Sequence, residues 1–372
     1  MSSEQTESET EDKIKIKMPV KTSVIGSGFA TIELVSSLVM AVLSRFWKLS
    51  STALLIILLV FWFEGGLGAS FMLILAVFGL FYYSQDMLLY HPDEPPHSRL
   101  YVEMPNSLNL PYDSQYTRTR DGTSINLVLV KHTAPGAPTI IYFHGNAGNV
   151  GHRLMNMFGL YQTCGCNVLM VEYRGFGKSD GSPTEHGLYQ DAEAAMDFLF
   201  KRSDIDKKKI FIFGRSLGGA VAIHLVAQPY YASLVAGLIL ENTFTSVPEI
   251  AKSLFNLAFL KYVPTWCFKN QFQSLKLIPR IRLPTLFLSG LGDQLVPPRM
   301  MKDMYEHSGS SLKQFSQFEQ GTHNETWTCP GYYETILKFV KEVLSRGPED
   351  ASSSRVENSI SVNIDTKGIK TV

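Results

Sequence analysis

A chain of 372 residues exceeds one ordinary compact domain and falls short of three. Hydrophobic residues make up 45% and charged residues 18%, which argues against a disordered chain. Lys plus Arg equals Asp plus Glu at 34 each, so no net field draws in nucleic acid, and four cysteines are too few for a disulfide scaffold. Cys164 and Cys166 also lack the CxxC spacing of a zinc site.

The chain opens with acids (Glu4, Glu7, Glu9, Glu11, Asp12) followed by Lys13, Lys15, Lys17 and Lys21. Residues 1–28 are therefore expected to form a disordered polar tail, and the Ser-rich, apolar-poor run 347–372 to do the same. Segment 29–64 is apolar and juxtamembrane in character; its block Ala53–Phe63 is too short to cross a bilayer unless it starts near Leu49. Residues 65–85 carry no charge, and at 1.5 Å per residue such a helix spans roughly 30 Å of hydrocarbon. Tyr82, Tyr83 and Tyr90 at its exit suit an aromatic belt.

This segment is read as a signal-anchor helix. Arg45 and Lys48 precede it and Arg99 follows, so the positive-inside rule expects a single-pass type II protein, its main domain lumenal or extracellular. A hairpin turning at Glu64-Gly65-Gly66 would instead return that domain to the cytosol.

Residues 98–345 change character. Apolar runs at 126–131, 138–143, 167–173, 209–213, 236–240, 284–288 and 314–318 read as buried strands. Helical patterns at 184–202, 217–228, 296–308 and 331–345 lie between or after them, and Asp121-Gly122 marks an earlier antiparallel hairpin. The alternation predicts an α/β fold, a mostly parallel sheet with helices on both faces.

Gly214-Arg215-Ser216-Leu217-Gly218 follows the strand 209–213 and opens a helix, the context a G-x-S-x-G nucleophile elbow requires. His144-Gly145-Asn146-Ala147-Gly148-Asn149 follows strand 138–143, so the backbone N–H groups of Asn146 and Leu217 are expected to line an oxyanion hole. His144 is read as a loop-stabilising residue. It forms no metal site with His152, because no carboxylate or cysteine completes a ligand set. Asp293 lies past strand 284–288 and His323 past strand 314–318, completing the chain order Ser, acid, His. His323 would take the Ser216 proton while Asp293 fixes its tautomer. Taken singly, Asp293 could merely cap the helix near Val296 and His323 could be a turn residue.

These residues resemble the α/β-hydrolase family across about 98–345, through HGNAGN, YRGFGKS, FGRSLGGAVAIH, ENTF, SGLGDQLVPP and GTHNETW and an apolar helix before QDMLLYHP. The resemblance implies a signal-anchored serine hydrolase with Ser216, Asp293 and His323 as its triad. It also implies relatives among membrane-associated acyl-protein and lipid hydrolases. The charged N-terminal tail is longer than the family pattern.

Segment 243–282 is where this fold inserts a lid; Leu254, Phe255, Leu257, Phe259, Leu260, Trp266, Cys267 and Phe268 suit an acyl chain or the core. The expected partners are a lipid bilayer and an acyl-containing substrate, with no cofactor, metal or nucleic acid. Arg215 is read as forming a surface ion pair, in preference to meeting an anionic group. Asn324-Glu325-Thr326 is a glycosylation sequon, and the cysteines would pair only in an oxidising lumen. Two other readings compete: a silent hydrolase fold used for binding, and a peptidase on the same fold.

Overall fold

A computed structural model describes residues 28–255 and 262–346. The tails expected at 1–28 and 347–372 lie outside the described residues, apart from Gly28. So do the side chains of Phe255, Leu257, Phe259 and Leu260. The chain divides into two compact units, Met1–Gln85 and Asp86–Val372.

In the first unit, three helices follow one another: α1 (Gly28–Arg45), α2 (Trp47–Glu64) and α3 (Gly66–Leu89), the last running on into the second unit. α2 starts at Trp47, ahead of the apolar block at 53–63, and Gly65 with φ 81° separates it from α3. The left-handed backbone at that position is open to glycine without a steric penalty. Both α2 and α3 are long and apolar enough to cross a membrane. α3 extends four residues past the segment 65–85 expected from charge alone.

The second unit contains β1 (Tyr112–Arg118), β2 (Ser124–Val130), β3 (Thr139–Phe143), α4 (Leu154–Cys164), β4 (Asn167–Val171) and α5 (Glu185–Lys201). These are followed by β5 (Ile210–Arg215), α6 (Leu217–Val226), the single turn α7 (Pro229–Ala232) and β6 (Gly237–Glu241). After helices α8 (Val247–Phe255) and α9 (Ser274–Leu277), within the segment expected to form a lid, come β7 (Thr285–Gly290), α10 (Pro298–His307), β8 (Lys313–Phe318) and α11 (Tyr332–Ser345).

Among the described residues, eight strands join one sheet in the order β1-β2-β4-β3-β5-β6-β7-β8. β1–β2 and β2–β4 pair antiparallel and the rest parallel, as the expected α/β hydrolase fold requires. The Asp121-Gly122 hairpin joins β1 to β2, with Gly122 at φ 85°. Strands β3 to β7 are buried along their whole length, which is why they read as unbroken apolar runs. β1, at the sheet edge, is mostly exposed and carries YDSQYTR, so hydrophobicity does not reveal it. α4 and α11 cover one face through Met157, Leu160, Ile336 and Phe339. α5, α6 and α10 cover the other through Leu188, Leu199, Val221 and Met304. Each such side chain contributes about 1.5–3 kcal/mol by burial.

Candidate active site

The parallel strands end along one edge of the sheet, where open α/β folds gather their functional loops. Ser216 leaves β5 there in a backbone conformation of φ 53°, ψ −120° and caps α6. Such strain costs about 1–3 kcal/mol and persists only where the surroundings over-determine it. Here they do. A Cβ on Gly218 would fall 2.1 Å from the Phe143 carbonyl oxygen, so only glycine lets α6 approach the end of β3. Ser216 N–H donates to Glu241 O at 2.9 Å, and Thr243 Oγ1 donates to Ser216 O at 2.6 Å.

The structure brings the three sequence-selected side chains together. Ser216 Oγ lies 3.0 Å from His323 Nε2, and His323 Nδ1 lies 2.7 Å from Asp293 Oδ2. A carboxylate accepting at Nδ1 fixes the proton there and leaves Nε2 free to accept from the serine hydroxyl. Asp293 is also a cap: its Oδ1 accepts from Leu295 N at 2.9 Å and Val296 N at 2.8 Å. One oxygen thus faces the histidine while the other caps the turn that follows. Burial lowers the His323 pKa below its ordinary value; Asp293 opposes this, while the charges of Arg215 and Arg153 add to it.

The HGNAGN loop lies against the serine: a Cβ on Gly145 would sit 3.6 Å from Ser216 Cβ. His144 is fully buried and stabilises this loop, its Nδ1 2.7 Å from Gly145 O and its Nε2 3.3 Å from Glu172 Oε1. Glu172 Oε2 also accepts from Val150 N at 3.1 Å, so one buried carboxylate faces both ends of the loop. His152 closes a capping box with Asn149.

Arg215 departs from expectation. It is not a surface residue: it is 3% exposed, its Nε 3.5 Å from Glu241 Oε1, a carboxylate with no exposure. Its Nη2 donates to His323 O at 2.6 Å and to Asn324 Oδ1 at 2.6 Å. A charge on the residue before Ser216 thus anchors the backbone of His323. Glu241 accepts from Tyr332 Oη at 2.5 Å, and its burial raises its pKa. Asn242 completes the scaffold, its Nδ2 donating to Thr322 O at 3.1 Å and Thr326 Oγ1 at 2.9 Å while its Oδ1 accepts from Gly290 N at 2.8 Å. Glu241 and Asn242 fall within the ENTF string, and two polar residues ending a fully apolar strand are themselves a signal of buried partners. In segment 243–282, Cys267 and Phe268 are buried, whereas Trp266 is 69% exposed.

A family model described as alpha/beta hydrolase fold matches residues 138–266. The chain is 38% identical over 274 residues to alpha/beta hydrolase domain-containing protein WAV2 of Arabidopsis thaliana, covering 69% of this chain and 88% of that one. It belongs to the alpha/beta hydrolase domain-containing family. An uncharacterized membrane protein of Saccharomyces cerevisiae is 34% identical over 281 residues, covering 75% of this chain and 96% of the relative. Among solved structures, the Pyrococcus furiosus esterase Pf2001 superposes with a TM-score of 0.56 at 19% identity, over 68% of this chain and 97% of the esterase. That likeness concerns the fold of the alpha/beta hydrolase domain. The matched family segment takes in HGNAGN and Ser216, while Asp293 and His323 lie beyond it.

Proposed function

We propose that this chain is a membrane-anchored serine hydrolase that cleaves a carboxylic ester or thioester. The continuous relay Ser216 Oγ–His323–Asp293 carries the reading. Ser216 Oγ attacks the acyl carbonyl as its proton passes to His323 Nε2, and the N–H groups of Asn146 and Leu217 receive the charge developing on the carbonyl oxygen. The alcohol or thiol leaves with the proton from His323, giving an acyl-enzyme. Water, deprotonated by the same nitrogen, then releases the acid and restores Ser216. Asp293 stabilises the imidazolium and remains ionised throughout.

The acyl group would belong to a lipid or an acylated protein. The apolar helices α2 and α3 and the small lid support this substrate class. Within the family, the motif strings and the apolar helix before QDMLLYHP resemble alpha/beta-hydrolase domain-containing protein 13.

For topology, a hairpin in which α2 and α3 both cross has better support than a single pass. Cations flank the pair at Arg45, Lys48 and Arg99, while the turn at Glu64-Gly65 has none. With positive charge on the cytosolic side, the hydrolase unit then lies in the cytosol. Protease protection in sealed microsomes tests this. Digestion of the hydrolase unit from outside is expected; protection, together with a glycan on Asn324, would restore the single-pass lumenal reading.

Labelling of the detergent-solubilised protein by a fluorophosphonate probe tests the activity. Labelling that disappears in Ser216→Ala is expected. An unlabelled wild type would favour a silent binding module, and persistent labelling in the variant would overturn the choice of nucleophile. Hydrolysis of peptides but not of esters would favour the peptidase reading.

A further inference from the structure

The last turn of α3 and the two residues after it, Asp86–His91, are built into the second unit on two sides. On one side they run along the HGNAGN loop. Asn146 Nδ2 donates to Leu89 O at 2.9 Å, His91 N donates to Asn146 O at 2.8 Å, and Gly148 N donates to His91 O at 3.3 Å. His91 and Ala147 pair as an isolated parallel bridge. Asn146 is thus gripped through its side chain and its carbonyl, so its freedom to turn about its own backbone is removed.

On the other side the same residues reach the base of the lid. Tyr90 Oη donates to Asn270 Oδ1 at 2.9 Å, and Asn270 Nδ2 donates to Asp86 Oδ1 at 2.7 Å. Asn270 Oδ1 also accepts from Glu185 N at 3.2 Å, and Lys269 forms an ion pair with Asp86. Tyr90 and Asn270 are 4% and 2% exposed, so these hydrogen bonds are made away from water and are costly to leave unmade.

We propose that Asp86–His91 is a strap that positions the oxyanion loop, with Tyr90, Asn270 and the Asn146 side chain as positioning residues. The strap holds the Asn146 N–H where the carbonyl oxygen of the substrate acquires its charge. This rests on the serine-hydrolase reading above. It deepens that reading by making the exit of the apolar helix a working part of the catalytic unit. No residue of the strap touches the reacting atoms. Its contribution is the aim of a donor, which electrostatic stabilisation requires before the reaction begins.

The test uses the full chain in detergent micelles, with p-nitrophenyl butyrate as substrate and fluorophosphonate titration to count active sites. Asn146→Ala keeps the backbone N–H and removes only the tie to Leu89, while Tyr90→Phe removes one hydroxyl. With Asn146→Ala, kcat per titrated site is expected to fall ~10- to 100-fold with KM unchanged within about twofold, since a small misplacement costs that much. Tyr90→Phe should give a smaller loss of the same kind. Phe339→Leu, a core substitution on the far face of the sheet, is expected to lower Tm while leaving kcat per titrated site intact. Unchanged kcat per titrated site in both strap variants, with only Tm reduced, would overturn the positioning role and leave the hydrolase reading standing. A wild type that takes up no probe at Ser216 would overturn the hydrolase reading, and the strap proposal with it.

Discussion

Ser216 and His323 lie 3.0 Å apart across the site, yet the chain holds them by different means. Around Ser216 the chain relies on missing side chains: Gly218 admits the Phe143 carbonyl, and Gly219 admits Thr243, whose Cβ lies 2.4 Å from where a glycine Cβ would be. Around His323 it relies on buried charge. Arg215 grips the histidine carbonyl and the neighbouring Asn324, one oxygen of Glu241 faces Arg215, and Tyr332 donates to the other. Arg215 is common to both arrangements, being one residue from the serine and bonded to the histidine. Steric definition is indifferent to pH and intolerant of volume. Charge-based definition tolerates small changes of volume and responds to charge and to protons.

Four experiments would break or sharpen that contrast. The largest effect is expected for Asp293→Asn: the amide oxygen can still cap Leu295 and Val296 while the NH2 group faces His323 Nδ1. The wrong tautomer should lower kcat ~10⁴-fold with little change in Tm, measured by ester turnover and thermal melting. Arg215→Gln leaves Glu241 buried without its cation and should cost about 3–5 kcal/mol by denaturant titration. Pairing it with Glu241→Gln should recover much of that stability without recovering kcat, since the His323 carbonyl still lacks its guanidinium. Recovery of both would show that the pair serves the fold alone.

Gly218→Ala tests the steric side. Its new Cβ meets a backbone oxygen that cannot swing away, so a loss of about 3 kcal/mol or more is expected, unaffected by pH between 5 and 8, roughly the range over which histidine titrates. The smallest effect is a shift in the pH profile. A histidine acts as a base only when neutral, and burial holds His323 below its ordinary 6.5. The acid limb of kcat/KM should therefore fall below that value. In Arg215→Gln, one of the two cations that depress the histidine is gone, so the limb should move upward. A limb that stays in place would remove Arg215 from the electrostatics of the site.

The legible and illegible parts of the molecule divide along the same line. The strands β3 to β7 are visible because two covered faces demand unbroken apolar runs, and Ser216 and Asp293 stand out because each follows such a run; His323 follows β8, whose KQFSQF is only half-buried and gives a weaker signal. Arg215 does not stand out. An arginine between Gly214 and Ser216 reads as exposed, because its partner Glu241 lies 26 positions later and burial is a property of the folded neighbourhood. The strap is hidden for a related reason. Asp86–His91 looks like the polar end of an apolar helix, and its partners at Asn146 and Asn270 are far along the chain. β1 is signalled only by the Asp121-Gly122 turn that follows it, because an edge strand facing water needs no hydrophobic pattern.

Cys164, Cys166 and Cys329 are free thiols, and Cys164, Cys166 and Cys267 are buried. Burial pushes the Cys166 thiol up to about 12 and Cys164 higher still, so neither presents a thiolate to a reagent while the fold is closed. Cys164 ends α4 and Cys166 precedes β4, under the layer that α11 helps to cover. Their rate of alkylation under native conditions is therefore a clock for the opening of that layer. Read beside turnover, it would report whether the sheet beneath the candidate site opens as one cooperative body or sheds its α4–α11 face first.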